Sequence, residues 1–379
     1  KKSRGVEAGN LILGEKTMSI FNREITMNIL KFRIEEDNLK WDNFVKSFDN
    51  YSFLNSSFRY EHEKCSSTFV ERYIISNDDT DIGFLIVSIG KTKLFGNYLE
   101  CKHSPSLQLI SEKAWEDVFD FCLNLANEKN CFMYRVSPLK VEDDVLLNVY
   151  KKKGLFEAPI QSIDALISQY FDLKLSEEDL RHGMSDSTRN NLNKLMKNPD
   201  VSVKVFNDGS QLELFTNFYK QTELKKGFQG KSVEALTDEL KRQIAVNACY
   251  MIVGYFKEVP VSIWQCTVYG KYLHVYQAGS DTEFREKNVR MPYLLYWEAV
   301  KLGKSLNCEI LDLFGGMTPE GYTGKRHPWI GVNNFKMSFG GTKVTYLHTR
   351  DYPIKKSLYM LYYIYAYIRT LLKGYTTKW

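Results

Sequence analysis

One pattern of secondary structure occurs twice in this chain of 379 residues, and the second occurrence follows the first by about 180 residues. Each occurrence begins with a helix whose apolar residues recur at helical spacing, and it continues with a short apolar strand and a helix that ends at glycine. The turns into the two strands match, since Lys129-Asn130-Cys131 precedes one and Leu306-Asn307-Cys308 precedes the other. Such self-similarity is typical of a chain built from two related α/β halves. The alternative is chance similarity between two βα units.

The order of the predicted elements indicates the fold class. In the first half we predict strands at 69–76, 81–89 and 131–136 and helices at 111–129 and 143–153. In the second half we predict strands at 201–206, 250–256, 261–268, 272–278 and 308–313 and helices at 210–225, 231–247 and 291–306. Tight turns join the strands between residues 250 and 278, which indicates an antiparallel meander. The sequence therefore predicts an α/β (α+β) fold with mixed sheets flanked by helices.

Changes in composition and pattern suggest where the parts of the chain begin and end. We expect residues 1–30 to be an extension outside the fold, native or introduced, with Met18 or Met27 as the natural start. We assign residues 31–185 to the first domain, including an alternating strand at 160–175, and residues 186–350 to the second. We predict that residues 351–379 form a basic, aromatic helix.

Positive charge is concentrated in that final segment. Residues 342–379 contain seven basic side chains and one acidic one, whereas the chain as a whole has a formal charge of +5. The body before them is therefore close to neutral, which disfavours broad nucleic-acid binding. Tyrosines and aliphatic residues at 354–373, bracketed by Lys and Arg, suit a helix in an anionic membrane interface, and the alternative is a helix packed on the first or second domain. Its uninterrupted apolar run of eleven residues, 358–368, is too short to span a bilayer.

Several other classes of chemistry have no support in the sequence. The seven cysteines are odd in number and form no C-x-x-C pair, so we expect reduced thiols in a cytoplasmic protein. The six histidines show no spacing typical of zinc ligands, so we expect no metal. We find no secretory signal, no Walker loop, no dinucleotide-binding glycine motif and no G-x-S-x-G.

One glycine-rich stretch near the end of the second half carries a resemblance. Leu311-Asp312-Leu313-Phe314-Gly315-Gly316 is followed by Gly331, Phe335-Lys336 and Phe339-Gly340-Gly341. This series resembles the signature end of the FemABX aminoacyltransferases, and stretches at 170–189, 215–228 and 292–303 resemble other parts of the same family. The resemblance extends from about Leu39 to Lys373.

The resemblance implies a fold and an activity. Proteins of this family have two tandem acetyltransferase-like (GNAT) domains, in agreement with the internal repeat. They transfer an amino acid from aminoacyl-tRNA to the stem-peptide amine of a peptidoglycan precursor, either a UDP-MurNAc-peptide or lipid II, without a bound cofactor. The chain has no sustained heptad pattern, so it is similar to the shorter branch that lacks a coiled-coil arm.

Some residues depart from the family pattern. Lys225 stands where the family usually has arginine, which replaces a bidentate grip on phosphate by a point charge. Lys102-His103-Ser104-Pro105 stands where many members have an R-G-P loop. The stretch from Arg285 to Arg290 has no glycine of the kind that holds the pyrophosphate of acetyl-CoA, so we favour the tRNA-linked donor over acetyl-CoA. An N-acyltransferase with an acyl-thioester donor, acting on an exopolysaccharide or a small amine, and a non-catalytic RNA- or peptide-binding module remain the alternatives.

The candidate catalytic residues follow from the chemistry of aminoacyl transfer. A neutral amine attacks an ester, and positive charge stabilises the resulting oxyanion. Lys336, held by Phe335, is the candidate for that charge, and the alternative is a surface lysine whose stem packs on Phe339. Asp312 and Glu320 are the candidate general bases, although Asp312 at a strand end could equally cap a loop.

The candidate substrate-binding residues are cations, a tyrosine and glycines. Lys64, Lys225 and Lys226 are candidates for binding the diphosphate of a nucleotide-linked precursor. Tyr276 is a candidate for lining a peptide channel, and the alternative is a buried core tyrosine. Gly315 and Gly316 follow a strand at the edge where α/β sheets open their ligand crevices.

Overall fold

A computed structural model describes residues 30–109, 111–141, 143–159, 167–226, 230–281, 289–316 and 330–372. The elements of the first part of the chain are β1 (Lys31–Ile34), α1 (Asn38–Lys46), a short 3-10 helix (Phe53–Asn55), α2 (Ser57–Ser66), β2 (Val70–Asn77), β3 (Thr80–Thr92), β4 (Gly96–Lys102), β5 (Ser106–Leu107), α3 (Glu112–Glu128), β6 (Met133–Ser137), α4 (Asp144–Lys153) and β7 (Phe156–Glu157).

The chain continues with β8 (Ile167–Asp172), α5 (Glu177–His182), α6 (Asp186–Met196), β9 (Val201–Phe206), α7 (Leu212–Lys226), α8 (Val233–Ala245), β10 (Cys249–Phe256), β11 (Val259–Tyr269), β12 (Tyr272–Ser280), α9 (Pro292–Ser305), β13 (Ile310–Asp312), α10 (Ile330–Met337), β14 (Thr342–Thr345), β15 (Arg350–Pro353) and α11 (Lys356–Leu372). The predicted α/β class is confirmed, and the predicted meander is β10, β11 and β12. The predicted extension at residues 1–29 lies outside the described residues.

The strands form two mixed sheets with matching layouts. The first has the order β1-β2-β3-β4-β6-β15-β7, and the second has the order β9-β10-β11-β12-β13-β8-β14. In each sheet the fourth and fifth strands of this order are a parallel pair joined by a long helix, α3 or α9. Both helices end at an asparagine with positive φ, which is +54° at Asn130 and +57° at Asn307. The repeat predicted from the sequence is therefore present in the structure.

The two sheets exchange one strand each. After β7, at the edge of the first sheet, the chain crosses to the second sheet, where β8 lies between β13 and β14. After β14, at the edge of the second sheet, it crosses back, and β15 lies between β6 and β7. Each sheet is therefore completed by a strand that follows the last strand of the other half.

Because of this exchange, the division between the two halves does not fall at residue 185, where the sequence analysis placed it. The strand β8 and the helices α5 and α6 belong to the second half, where Leu180 and Leu192 are buried in its core. The strand β15 returns to the first half. An alternating pattern shows that a segment is a strand, but it does not show which sheet the strand joins.

A buried ion pair joins the exchanged strand β15 to the first sheet. The Arg135 guanidinium donates to both carboxylate oxygens of Asp351 at 2.7 Å. The hydroxyl of Tyr359 donates to Asp351 at 2.9 Å, and Arg135 also donates to the hydroxyl of Tyr362 at 3.0 Å. Both charged side chains are almost fully buried and have therefore lost their hydration. The attraction between the two charges compensates for that loss, so neither side chain is stable there without the other.

The final helix α11 packs on the first half. Tyr359, Tyr362 and Ala366 on one of its faces contact Phe132 and Met133. This position agrees with one of the two placements predicted on the body of the protein. Within the described residues, no helix is long and apolar enough to cross a bilayer.

The two halves are joined by an aromatic core. Phe58 from α2 meets Tyr269 of β11 with 5.9 Å between ring centroids, and Tyr51 meets Tyr272 of β12 at 5.2 Å. Beside this core, the buried Arg59 of α2 donates to Glu239 of α8 at 2.6 Å. The second half is therefore held at a fixed position against the helices of the first.

Candidate functional site

A cavity of about 630 Å³ opens in the second half. The parallel pair β12 and β13 stays together only over Tyr272–His274 and Ile310–Asp312, and beyond this point the two chains separate. The cavity lies beyond the separation, between β11, β12, the start of α9 and α10. Ligand crevices of α/β sheets form at the carboxyl ends of strands for this reason.

A tight turn after β13 forms part of the cavity wall. Phe314 has a φ of +26° and Gly315 a φ of +92°, so two successive residues leave the extended backbone of the strand. The carboxylate of Asp312 supports the turn by accepting from the N–H of Phe314 at 2.8 Å. A Cβ on Gly316 would come within 2.8 Å of Ile167, so this position requires glycine for space.

Lys336 reaches this turn from the last turn of α10. Its ammonium donates to the carbonyl oxygens of Phe314 and Gly315, at 2.7 Å each, and Lys336 lines the cavity. Burial lowers the pKa of Lys336 from 10.5 to about 8, although the nearby Asp312 carboxylate opposes the shift. The side chain is therefore mostly charged at pH 7, and a small rise in pH is enough to remove its proton.

The titration of Lys336 provides a test of this environment. We expect an apparent pKa of about 8 for this lysine by NMR of the 13C-dimethylated protein, with the assignment taken from the signal missing in Lys336→Met. Because the folded-state pKa is lowered, the folded protein binds fewer protons than the unfolded chain between about pH 8 and 10.5. The free energy of unfolding therefore rises with pH across this window in the wild type relative to Lys336→Met.

The same titration tests the contribution of Asp312. Removal of its negative charge in Asp312→Asn should lower the pKa of Lys336 below the wild-type value, since the carboxylate favours the ammonium form. A Lys336 signal that titrates near 10.5 in the wild type, or that is unchanged in Asp312→Asn, would contradict the described arrangement.

Asp312 itself lies beneath the turn and is not among the cavity-lining residues. One carboxylate oxygen accepts from Ser168 at 2.6 Å, and the other lies 3.0 Å from Nδ1 of His274. The side chain is 2% exposed, so it does not reach a substrate in the cavity. The structure therefore places the predicted base in a supporting position, where it acts on the turn and on the charge of Lys336. Glu320, the other candidate base, lies outside the described residues.

His274 is a member of this site that the sequence reasoning missed. It is 1% exposed, stacks on Tyr272 with 5.3 Å between centroids, and has no hydrogen-bond partner for Nε2 among the described residues. Its one sequence signal is its register, because His274 lies opposite Asp312 in the parallel pair. That register becomes visible only once the sheet is known.

The predicted aromatic residues line the cavity. Phe335 lies against Trp264 and Tyr293, with centroid distances of 6.3 and 5.2 Å. Tyr276 lies 4.6 Å from Phe53 of the first half and lines the cavity, so it is only partly buried. A ligand in the cavity would therefore contact aromatic faces as well as the Lys336 ammonium.

The predicted phosphate-binding lysines lie on two helices, α2 and α7. Lys64 on α2 faces Glu61 at 3.8 Å and the ring of Tyr60, and it does not line the cavity. Lys225 and Lys226 are the last residues of α7. This helix approaches the cavity through Thr222, which accepts from the backbone of the cavity-lining Ser280 at 3.3 Å.

A network of ion pairs that begins beside the cavity at Lys231 was also missed. Lys231 lies 5.3 Å from the ring centre of Tyr276 and pairs with Glu239. Lys102 lies 3.0 Å from Glu100 and 3.7 Å from Glu63. Burial would raise the pKa of Glu63, but Lys102 and Arg59 outweigh it and lower that pKa to about 2. Lys231 and Lys102 pair with different carboxylates, and Arg59 links the two pairs because it contacts both Glu239 and Glu63.

Comparisons with known proteins identify the fold. No protein-family model and no curated protein matches the sequence. Among solved structures, FemX matches with a TM-score of 0.74 and 14% identity over 87% of this chain and 99% of that chain. A tandem GNAT protein from the clavulanic acid biosynthesis pathway matches with a TM-score of 0.54 and 11% identity over 86% and 98%.

A third structure, L-PGS from Bacillus licheniformis, matches with a TM-score of 0.50 and 12% identity over 87% of this chain and 98% of that chain. At these identities the matches show the fold, and they extend over nearly the full length of each solved chain. The two matching halves, each with a parallel pair opened beside a long helix, are therefore the tandem acetyltransferase-like (GNAT) fold that is seen in FemX.

Proposed function

We propose that the protein is an aminoacyltransferase, which moves an amino acid from aminoacyl-tRNA to the stem-peptide amine of a peptidoglycan precursor in the cytoplasm. The observation that carries the proposal is the Lys336 ammonium at the cavity wall, held by the carbonyls of the Phe314–Gly315 turn. The fold shared with FemX and the motif resemblance from Leu311 to Gly341 support the same conclusion.

The reaction needs positive charge at one place. The acceptor amine attacks the ester carbonyl, an amide C–N bond forms, and the ester C–O bond to the tRNA ribose breaks. The amine loses a proton, and the departing ribose oxygen gains one. Negative charge develops on the carbonyl oxygen between these events, and a fixed ammonium beside that oxygen stabilises it. Lys336 can supply that charge because its ammonium already lies at the cavity wall.

The cavity suits the reacting end of such a donor. Its volume of about 630 Å³ is in the range of small-molecule sites, so it can hold the terminal aminoacyl nucleoside while the body of the tRNA stays outside. Trp264, Tyr276 and Phe335 offer aromatic faces, and nucleic-acid bases stack on such faces with little sequence preference.

One observation favours a second candidate, an N-acyltransferase with an acyl-thioester donor. The start of α9 faces the cavity, Pro292 is at its first turn, and no side chain caps it at Met291. The N–H groups of Tyr293 and Leu294 already donate to the carbonyls of Arg290 and Met291, at 3.1 and 2.9 Å. A pyrophosphate such as that of coenzyme A would therefore be favoured here by the positive end of the helix dipole. Residues 285–288 of the stretch that disfavours acetyl-CoA lie outside the described residues, so the donor has to be decided by experiment.

A donor comparison tests the proposal. The full chain is incubated with a UDP-MurNAc-pentapeptide or lipid II and either a tRNA pool charged with the standard amino acids or acetyl-CoA, and the acceptor is analysed by mass spectrometry. We expect the acceptor to gain the mass of an amino-acid residue only with charged tRNA, and the gain should disappear when the tRNA is deacylated first. Acetylation of an amine with no aminoacyl product would instead establish the thioester-dependent alternative.

A further inference from the structure

The helix α11 has a second apolar face, opposite the one that packs on the first half. Tyr359, Tyr362 and Ala366 point inward. Six aliphatic side chains on the remaining surface each expose between 49% and 83% of their reference area: Met360, Leu361, Ile364, Ile368, Leu371 and Leu372. Leu361, Ile364, Ile368 and Leu371 follow helical spacing, so they form one continuous stripe. A surface helix normally carries polar residues on the face that points away from the protein. A helix with apolar residues on two opposite faces is normally covered by apolar material on both of them.

A hairpin from another part of the chain extends this surface. The ring of Phe95, in the turn between β3 and β4, contacts Tyr362 and Tyr365 of α11 with centroid distances of 5.6 Å. Its neighbour Leu94 is 71% exposed, and Lys91 and Lys93 beside it are also exposed. Two elements that are far apart in sequence therefore present apolar tips and lysines on the same side of the first half.

The charges on these two segments have one sign. The stretch from Lys355 to Leu372 contains Lys355, Lys356 and Arg369 and no acidic residue. Lys91 and Lys93 add two positive charges at the adjoining hairpin turn. An apolar stripe with cations at its margins complements a surface that is apolar inside and negatively charged outside, which describes an anionic lipid bilayer.

We propose that α11 and the β3–β4 hairpin turn form a docking surface for an anionic membrane. The helix lies in the plane of the bilayer, its aliphatic stripe and Leu94 enter the boundary of the acyl chains, and Lys91, Lys93 and Arg369 contact lipid phosphates. Tyr365 and Tyr367, which are partly exposed, lie at the level of the headgroups, where tyrosine is favoured. This inference concerns the first half and does not depend on the proposed aminoacyl transfer.

Vesicle flotation of the full chain tests the docking surface. The probes are vesicles of phosphatidylcholine alone and of phosphatidylcholine with phosphatidylglycerol. We expect flotation mainly with the anionic vesicles and a decrease at high salt. The triple variant Leu361→Gln, Ile364→Gln and Ile368→Gln should lower the partition coefficient more than ~100-fold. Lys91→Gln with Lys93→Gln should lower it ~25-fold, about fivefold for each lysine.

Matched controls distinguish the surface from general effects of substitution. Leu39→Gln, Leu175→Gln and Val246→Gln replace three exposed apolar side chains on other elements, and Lys204→Gln with Lys301→Gln replaces two exposed lysines. Both controls should float like the wild type, and circular dichroism and thermal unfolding should show that all variants are folded. A wild type that stays unbound, or a triple variant that floats equally well, would overturn the proposal. A dimer in light scattering that the triple variant abolishes, without vesicle binding by the wild type, would overturn it in favour of a second copy as the occupant.

Discussion

Lys336→Met is expected to lower the rate of aminoacyl transfer by about 10²- to 10³-fold, which is the usual effect of removing one group that stabilises an oxyanion. Methionine has nearly the length of the lysine stem, so the cavity keeps its shape while the charge at the Phe314–Gly315 turn is lost. The loss should be in kcat, whereas KM for the acceptor should change little, because the charge acts on the reacting carbonyl and not on the ground state.

Lys304→Met is the matched control for this substitution. The ammonium of Lys304 also donates to two backbone carbonyls, those of Leu173 and Leu175, but it lies at the far end of α9 and does not line the cavity. Both variants leave two carbonyls without this donor, so both are expected to lose stability to a similar extent. Transfer by Lys336→Met at the rate of Lys304→Met would show that Lys336 has only a structural role.

Asp351→Ala is expected to lower the free energy of unfolding by about 3 to 5 kcal/mol, because it leaves the Arg135 guanidinium buried without a counter-charge. We expect a decrease in Tm of about 4 to 6 °C by calorimetry, since the entropy of unfolding is about 2.1 cal/mol/K per residue. Asp79→Ala breaks a fully exposed contact at 3.9 Å with Lys31 and serves as the control, with a change of less than about 1 kcal/mol.

A double variant distinguishes the cost of losing the ion pair from the cost of leaving the Arg135 guanidinium buried without a partner. Arg135→Met with Asp351→Leu removes both charges and fills their volume, so it should be clearly more stable than Asp351→Ala alone. Equal destabilisation of the single and the double variant would instead mean that the pair itself, and not the orphaned guanidinium, accounts for the effect.

The local elements of the fold were predictable because they depend on nearby residues. The helical stripe from Ala114 to Leu125 and the turns at Asn130 and Asn307 are present as the sequence indicates. The strand exchange was not predictable, since Arg135 and Asp351 are 216 positions apart and no local pattern relates them. Both exchanged strands look like any other short strand until the sheets are assembled.

The residues of the candidate site also divide into those that local sequence predicts and those that only the assembled fold brings together. Lys336, Phe335 and Tyr276 line the cavity as predicted, while their roles in the reaction stay predictions. Lys336 and Phe335 followed from a motif that is compact in sequence, whereas Tyr276 was chosen from the predicted meander. Asp312 was a candidate general base with the capping of a loop as its alternative, and its carboxylate accepts from the N–H of Phe314 in the turn. Its catalytic role stays a prediction. His274 and Lys231 reach the site from other elements and carry no spacing signal.

The strand exchange has a consequence for synthesis on the ribosome. The edge of β6 that β15 later covers stays without its partner until Arg350–Pro353 have been translated, more than 200 residues after β6 itself. An uncovered strand edge next to an unpaired Arg135 invites pairing with other nascent chains. Folding of the first sheet must therefore wait for the second half, and residues 30–159 alone should not assemble as a complete sheet, whereas the strands of the second sheet all lie within residues 167–345. We expect chaperone occupancy during translation to decrease only after β15 has left the exit tunnel.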